Sequence, residues 1–160
     1  MDLLSNRING LSESETIEMA SKARELKSQG KDIISLSLGE PDFDTPQHIK
    51  DAAKKALDEG YTKYTPVPGY VELREAISRK FKRDNNLDYS PSEIVVSTGA
   101  KQSLANVFMC LLNPEDEVIV FTPYWVTYRE IIKLAEGKAV YIEGKIENNF
   151  KINPADLEAA

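Results

Sequence analysis

Ser97, Thr98, Gly99 and Lys101 stand together inside "VVSTGAKQSLANV", residues 95–107. A run of strand formers stops there, and a helical pattern starts at once. A helix start leaves backbone N–H groups unpaired and carries a partial positive charge. Gly99 lets the backbone approach a ligand closely. Two hydroxyls and a lysine cation would complete a cradle for a phosphate or a carboxylate. The same residues also suit a plain strand-to-helix turn with an exposed lysine, and the turn alone leaves both readings open. The P-loop and GxGxxG patterns are absent, because the second glycine and the Gly-Lys-Ser/Thr ending are missing. A phosphate held here is therefore not expected to be that of ATP or NAD.

Other residues have types that bind or stack. Trp125, beside Tyr124, follows the strand pattern "EVIVF" and can lie against a flat ring or fill a core. Tyr64, in the proline-stiffened "YTKYTPVPG", can present its hydroxyl to an anion or pack on the surface. Gly39, ahead of "EPDFDTP", can offer its N–H to a carboxylate or simply turn the chain. Asp42 and Asp44 can act as paired acids, although caps and turns are the commoner use of aspartate. His48, Glu13 and Glu15 are expected to face solvent. With one histidine and one cysteine in the chain, no structural zinc site is expected.

The elements that must position these residues follow from periodicity. A helix is predicted over 14–29, with Ser12 and Glu15 as a capping box and Gly30 as its stop. "IISL", 33–36, reads as a short strand. Thr45 and Pro46 open a second helix in cap-then-proline order; Ile49, Ala52, Ala53, Ala56 and Leu57 form its apolar stripe, and Gly60 ends it. A third helix is predicted from about Gly69 to Asp84, with Tyr70, Leu73, Ile77 and Phe81 on one face. Then come the strand "EIVVS" and a helix from Ala100 with Leu104, Val107, Phe108 and Leu111 inward. The strand "EVIVF" follows, then a helix through Tyr128, Ile131, Ile132 and Ala135 closed by Gly137, and the strand "KAVYI". This β-α-β-α-β order from 93 to 142 predicts a parallel, helix-covered sheet. Such sheets place ligands beyond the carboxyl ends of their strands, where both "STGAKQ" and "TPYW" fall.

The 160 residues are 41% apolar and 29% charged, with a net charge of −6, which is the profile of a soluble globular protein. No basic block gives a nucleic-acid footprint. No apolar stretch is long enough to span a membrane, and "MDLLSNRING" lacks a signal peptide's basic start and apolar core. The lone Cys110 cannot form an internal disulfide, which suits a reducing cytoplasm. At the other end, "NPADLEAA" reads as Asn153 capping a helix with Pro154 at its first position. The sequence stops less than two turns later, so the chain is expected to be the front part of a longer protein.

"SLGEPDFDTP", "YTKYTPVPGYVELREAI", "STGAKQ" and "DEVIVFTPYWVTY" occur in one order and spacing. Together they resemble the first part of a class I aminotransferase, of the fold-type I family that uses pyridoxal 5′-phosphate, in the bacterial aspartate aminotransferase branch. The resemblance covers essentially the whole chain. It implies a three-layer α/β/α architecture with a mainly parallel sheet. It also implies a homodimer and a division at residue 45, with 1–45 as N-terminal arm and part of a small domain and 46–160 as the first part of the large domain.

The resemblance also implies site roles. Gly99, Ala100 and Lys101 would lie at the cofactor phosphate. Trp125 would stack near the pyridine ring and help bind the substrate carboxylate. Gly39 would give its N–H to the substrate α-carboxylate. Tyr64 would reach across the dimer interface to the partner's cofactor phosphate. Thr16 and Lys101 would read the far carboxylate of a dicarboxylic substrate, although Ser12 and Glu13 depart from the Lys-Pro pair of the family pattern. The implied reaction moves an amino group from an amino acid, aspartate first, to a 2-oxo acid, 2-oxoglutarate first. Aromatic, alanine or prephenate specificity and a non-enzymatic phosphate-ligand module are the alternatives. The lysine that forms the Schiff base, the acid on the pyridine nitrogen and the arginine for the α-carboxylate would all lie beyond residue 160. This segment alone is expected to be inactive and to leave apolar faces uncovered.

Overall fold

The computed structural model describes residues 3–160. The chain divides into two compact units, one formed by the residues up to Gly39 together with Gly99–Ala160, the other by Glu40–Thr98.

The first unit contains a strand–helix–strand motif. β1 (Glu117–Thr122) and β2 (Lys138–Glu143) run parallel, in register from Glu117 opposite Lys138 to Thr122 opposite Glu143. Parallel neighbours need a crossover, and α6 (Thr127–Leu134) supplies it. α6 buries Ile131 and Ile132, with Ala135 beside them, and Val120 and Ile142 of the strands are buried too. α5 (Ala100–Leu111) precedes β1 and packs against α6. A short α1 (Asn6–Asn9) also touches α6, and α2 (Glu15–Ser28) follows it.

Both glycine stops predicted for α2 and α3 (Gln47–Asp58) act as expected. After α2, Gly30 takes φ +80, its N–H donates to Lys27 O at 2.9 Å, and the Lys31 N–H donates to Leu26 O at 3.1 Å. Gly60 repeats the arrangement after α3 with φ +83, its N–H donating to Leu57 O and that of Tyr61 to Ala56 O. These pairs of bonds satisfy carbonyls that the last turn leaves open. α6 closes differently from the prediction. Glu136, not Gly137, holds the left-handed position at φ +63. Gly137 gives room instead, because a Cβ there would lie 2.8 Å from Leu112 Cδ1 and 3.2 Å from Asp116 O.

The second unit contains α3 and α4 (Val71–Lys80). The predicted 69–84 helix is shorter than expected and passes into a π-helical turn at Phe81–Asn85. Arg74 ties this unit together, donating from Nε to Gly69 O at 3.3 Å and from Nη1 to Pro91 O at 2.7 Å. Gly69 sits at φ +96, and a Cβ there would lie 2.9 Å from Val96 Cβ. Gly69→Ala is expected to cost about 1–2 kcal/mol from backbone strain and the displaced valine together. A urea titration of the full-length protein checks this.

Several local expectations are corrected. Neither "IISL" nor "EIVVS" is a strand among the described residues. Ile94 has extended backbone at φ −113 and ψ 129, and Val96 N–H bonds Pro68 O, but a strand needs a ladder partner and neither segment meets one. The Ser12–Glu15 box is absent: Ser14 is the N-cap of α2, without a side-chain bond, because Ser12 is engaged elsewhere. Pro46 rather than Thr45 caps α3, again without a side-chain bond. The α3 stripe is not buried, with Ile49 50% and Leu57 64% exposed. On α5, Leu104 and Phe108 are half-buried, whereas Val107 and Leu111 are exposed. Apolar faces are therefore uncovered, as expected. The predicted cap of the last helix, α7 (Pro154–Glu158), is present, with Asn153 and Asp156 exchanging bonds as a capping box.

Candidate functional site

α5 starts at Ala100, where the sequence pattern predicted a helix start. Gly99 is the N-cap at φ 84 and ψ 164, and no side chain caps the helix. The first intrahelical bond runs from Ser103 N–H to Gly99 O at 3.3 Å. The N–H groups of Ala100 and Lys101 belong to the opening turn, which has no carbonyl of its own to satisfy them. A Cβ on Gly99 would meet nothing within 4 Å, so there is open space beside this cap.

Lys101 turns from this helix start onto Trp125, its Nζ lying 4.7 Å from the ring centroid. The two residues are 24 apart in sequence, and the crossover architecture brings the helix start and the segment after β1 together. Trp125 is 44% exposed. Its edge-to-face contact with Tyr128, at 5.6 Å and 87°, fixes the indole plane. It borders an apolar cleft of about 430 Å³ walled by Leu104, Phe108, Phe121 and Ile132.

The remaining candidates are distributed. Thr16 lies half-buried in the first turn of α2, and Gly39 is exposed at the edge of the first unit with open space around its α-carbon. Tyr64 belongs to the second unit and is fully exposed, as do Ser97 and Thr98. Asp42 is exposed, and Asp44 makes a long ion pair with Lys50 at 3.8 Å. His48 faces solvent. Among the described residues no group of histidine, cysteine and carboxylate side chains is placed to hold a metal ion. No described helix is long and apolar enough to cross a membrane.

One cluster has no counterpart in the sequence reading. Ser12 meets Glu130 and Arg129 across more than a hundred residues. Partial burial pushes the Glu130 carboxyl up, but the Ser12 backbone N–H, Arg129 and Lys133 together hold it below its ordinary value. Beside it, Tyr124 and Tyr141 stack at 5.4 Å. Partial burial and the Tyr124 hydroxyl push the Tyr141 phenol up.

The sequence matches the aminotransferase class I and II family over residues 31–160, and the chain belongs to that family. It is 54% identical to the aspartate aminotransferase of Bacillus subtilis over 98% of its length. It is 52% identical to the aspartate/prephenate aminotransferase of Nitrosomonas europaea, also over 98%. The solved aspartate aminotransferase from Thermus thermophilus with maleate superposes at a TM-score of 0.96 with 46% identity, over 100% of this chain and 42% of that one. The chain spans about 40% of the length of the curated relatives it matches. The fold is that of the fold-type I aminotransferases, represented here by an incomplete α/β domain with a small parallel sheet. Members of the family use pyridoxal 5′-phosphate.

Proposed function

We propose that these residues form the phosphate-holding and substrate-facing front portion of a pyridoxal 5′-phosphate-dependent aminotransferase. Its amino donor is aspartate and its acceptor 2-oxoglutarate, and it acts as a cytoplasmic homodimer. The observation that carries this reading is the convergence of the uncapped α5 start and Trp125 through Lys101 Nζ, 4.7 Å from the indole centroid.

The residues suit the cofactor. Open amides at a helix start bind a phosphoryl group through hydrogen bonds and the helix dipole. Gly99, Ala100 and Lys101 would hold that group, and Trp125 would cover the ring. Gly39 would orient the substrate α-carboxylate with its N–H, assisted by Trp125. Thr16 and Lys101 would take the distal carboxylate. Tyr64 would serve the partner subunit's cofactor phosphate. Once bound, the cofactor supplies the electron sink, and the protein contributes binding and orientation. The covalent lysine is assigned to the part of the protein beyond residue 160. The division of 1–45 from 46–160 as arm and large domain belongs to the same proposal.

Prephenate is a second acceptor to consider, since relatives named aspartate/prephenate aminotransferases are nearly as similar as those named for aspartate alone. Absorbance spectroscopy of the full-length protein tests the main reading. With pyridoxal 5′-phosphate added, a visible band is expected, and aspartate should shift it. A protein that stays colourless overturns the reading. Binding of phosphate ligands without any spectral response to amino acids would favour a non-enzymatic module.

A further inference from the structure

The chain ahead of α2 is held against α6 at two points. Arg7 Nε lies 4.0 Å from Glu136 Oε1, just past the C-terminal end of α6. At the other end of α6, the Ser12 N–H donates to Glu130 Oε2 at 2.9 Å. The segment therefore runs along α6 in the opposite direction. The two anchors are unequal. The Arg7 pair is about half exposed on both sides and at the limit of ion-pair distance, a geometry worth little in water.

The Glu130 anchor closes a ring of bonds. Arg129 donates from Nε to Glu130 Oε1 at 2.8 Å and from Nη2 to Ser12 Oγ at 3.2 Å. Ser12 is thus gripped through both its backbone and its hydroxyl. Lys133 adds a second cation 3.8 Å from the same carboxylate, which is only 21% exposed. Bonds to a charged acceptor of this kind are among the stronger ones. No side chain caps α2, so its start is not fixed locally.

The clamp lies close in sequence to two residues given roles above. Thr16 follows Ser12 by four positions, and Trp125 precedes Glu130 by five. A cleft of about 350 Å³ opens there, lined among others by Ser14, Glu15, Tyr124 and Thr127. We propose that Glu130 is a positioning residue: its carboxylate fixes the start of α2 against α6 and so sets where Thr16 stands relative to Trp125 and Lys101. Substrate selectivity for a distal carboxylate then depends on a side chain that need not touch the substrate. This inference rests on the reading of Thr16 and Lys101 as carboxylate-reading residues.

The test uses the full-length protein loaded with cofactor. Glu130→Ala is expected to raise KM for aspartate about tenfold and to leave that for alanine almost unchanged. Amide exchange over residues 10–16 should quicken. Glu130→Gln keeps one acceptor oxygen but loses the charge, so it should recover most of the loss, leaving an aspartate/alanine selectivity shift of about threefold. If Glu130→Ala is not recovered folded, that threefold shift in Glu130→Gln carries the test. Equal losses for both substrates, or wild-type selectivity with wild-type exchange, overturn the proposal. If the unmutated protein gives no spectral response to aspartate, the functional reading fails first, which separates the two failures.

Discussion

Gly99→Val in the full-length protein is expected to weaken pyridoxal 5′-phosphate binding by about 100-fold, and to lower thermal stability by no more than its backbone strain. The backbone at Gly99 lies at φ 84 and ψ 164, a region that is essentially glycine's own and costs another residue about 1–3 kcal/mol. No steric clash is involved, since the space around a Cβ is empty. The valine has two options. It can keep the strained peptide and project into the space the phosphate would use. It can also relax the peptide and re-aim the first amides of α5. Either route spoils charge-assisted bonds worth about 1.5–3 kcal/mol each, enough to account for the 100-fold loss. Gly60→Val is the control, because Gly60 also has positive φ, at +83, but ends α3 in the other unit. It should cost stability and leave cofactor affinity unchanged. Equilibrium dialysis measures the affinity of each variant, and thermal melting its stability. Retention of wild-type affinity by Gly99→Val would place the phosphate away from this helix start.

The turn behind that prediction was legible because its signals are local. A glycine followed by helix formers marks a helix start whatever the rest of the fold does. The same holds for the Schellman closures at Gly30 and Gly60 and for the capping box at Asn153. The apolar runs in "EVIVF" and "KAVYI" around an amphipathic α6 likewise carried the parallel β1–β2 pair, since each strand brings a partner for the other.

What failed needed information from distant residues. "IISL" and "EIVVS" have strand composition, but a strand exists through its neighbour, and neither segment finds one among the described residues. The exchange of roles between Glu136 and Gly137 was hidden because the need for glycine at 137 comes from Leu112, not from the turn. The Ser12–Glu130–Arg129 ring left no trace, as serine and glutamate at an N-terminus already satisfy a local capping pattern. For the candidate site, residue types were legible and pairing was not. Lys101 and Trp125 each had a bland use, and only the crossover fold puts them in contact.

That contact makes Lys101→Ala informative, because two effects of the lysine can be separated by size. Its cation–π interaction with Trp125 at this exposed position is worth about 0.5–1 kcal/mol. Losing it should disturb the indole for every substrate alike, by no more than about fivefold in kcat/KM. A bond from Nζ to a distal carboxylate would be worth about 1.5–3 kcal/mol and exists only for dicarboxylic substrates. The expected result in the full-length protein is therefore a loss of about 30-fold or more for aspartate and less than fivefold for alanine. Lys101→Arg should restore charge but not geometry, since the guanidinium is longer and planar, and should recover aspartate activity in part. Parallel losses for the two amino acids would reduce Lys101 to a support for Trp125, and recognition of the far carboxylate would then have to come from other residues.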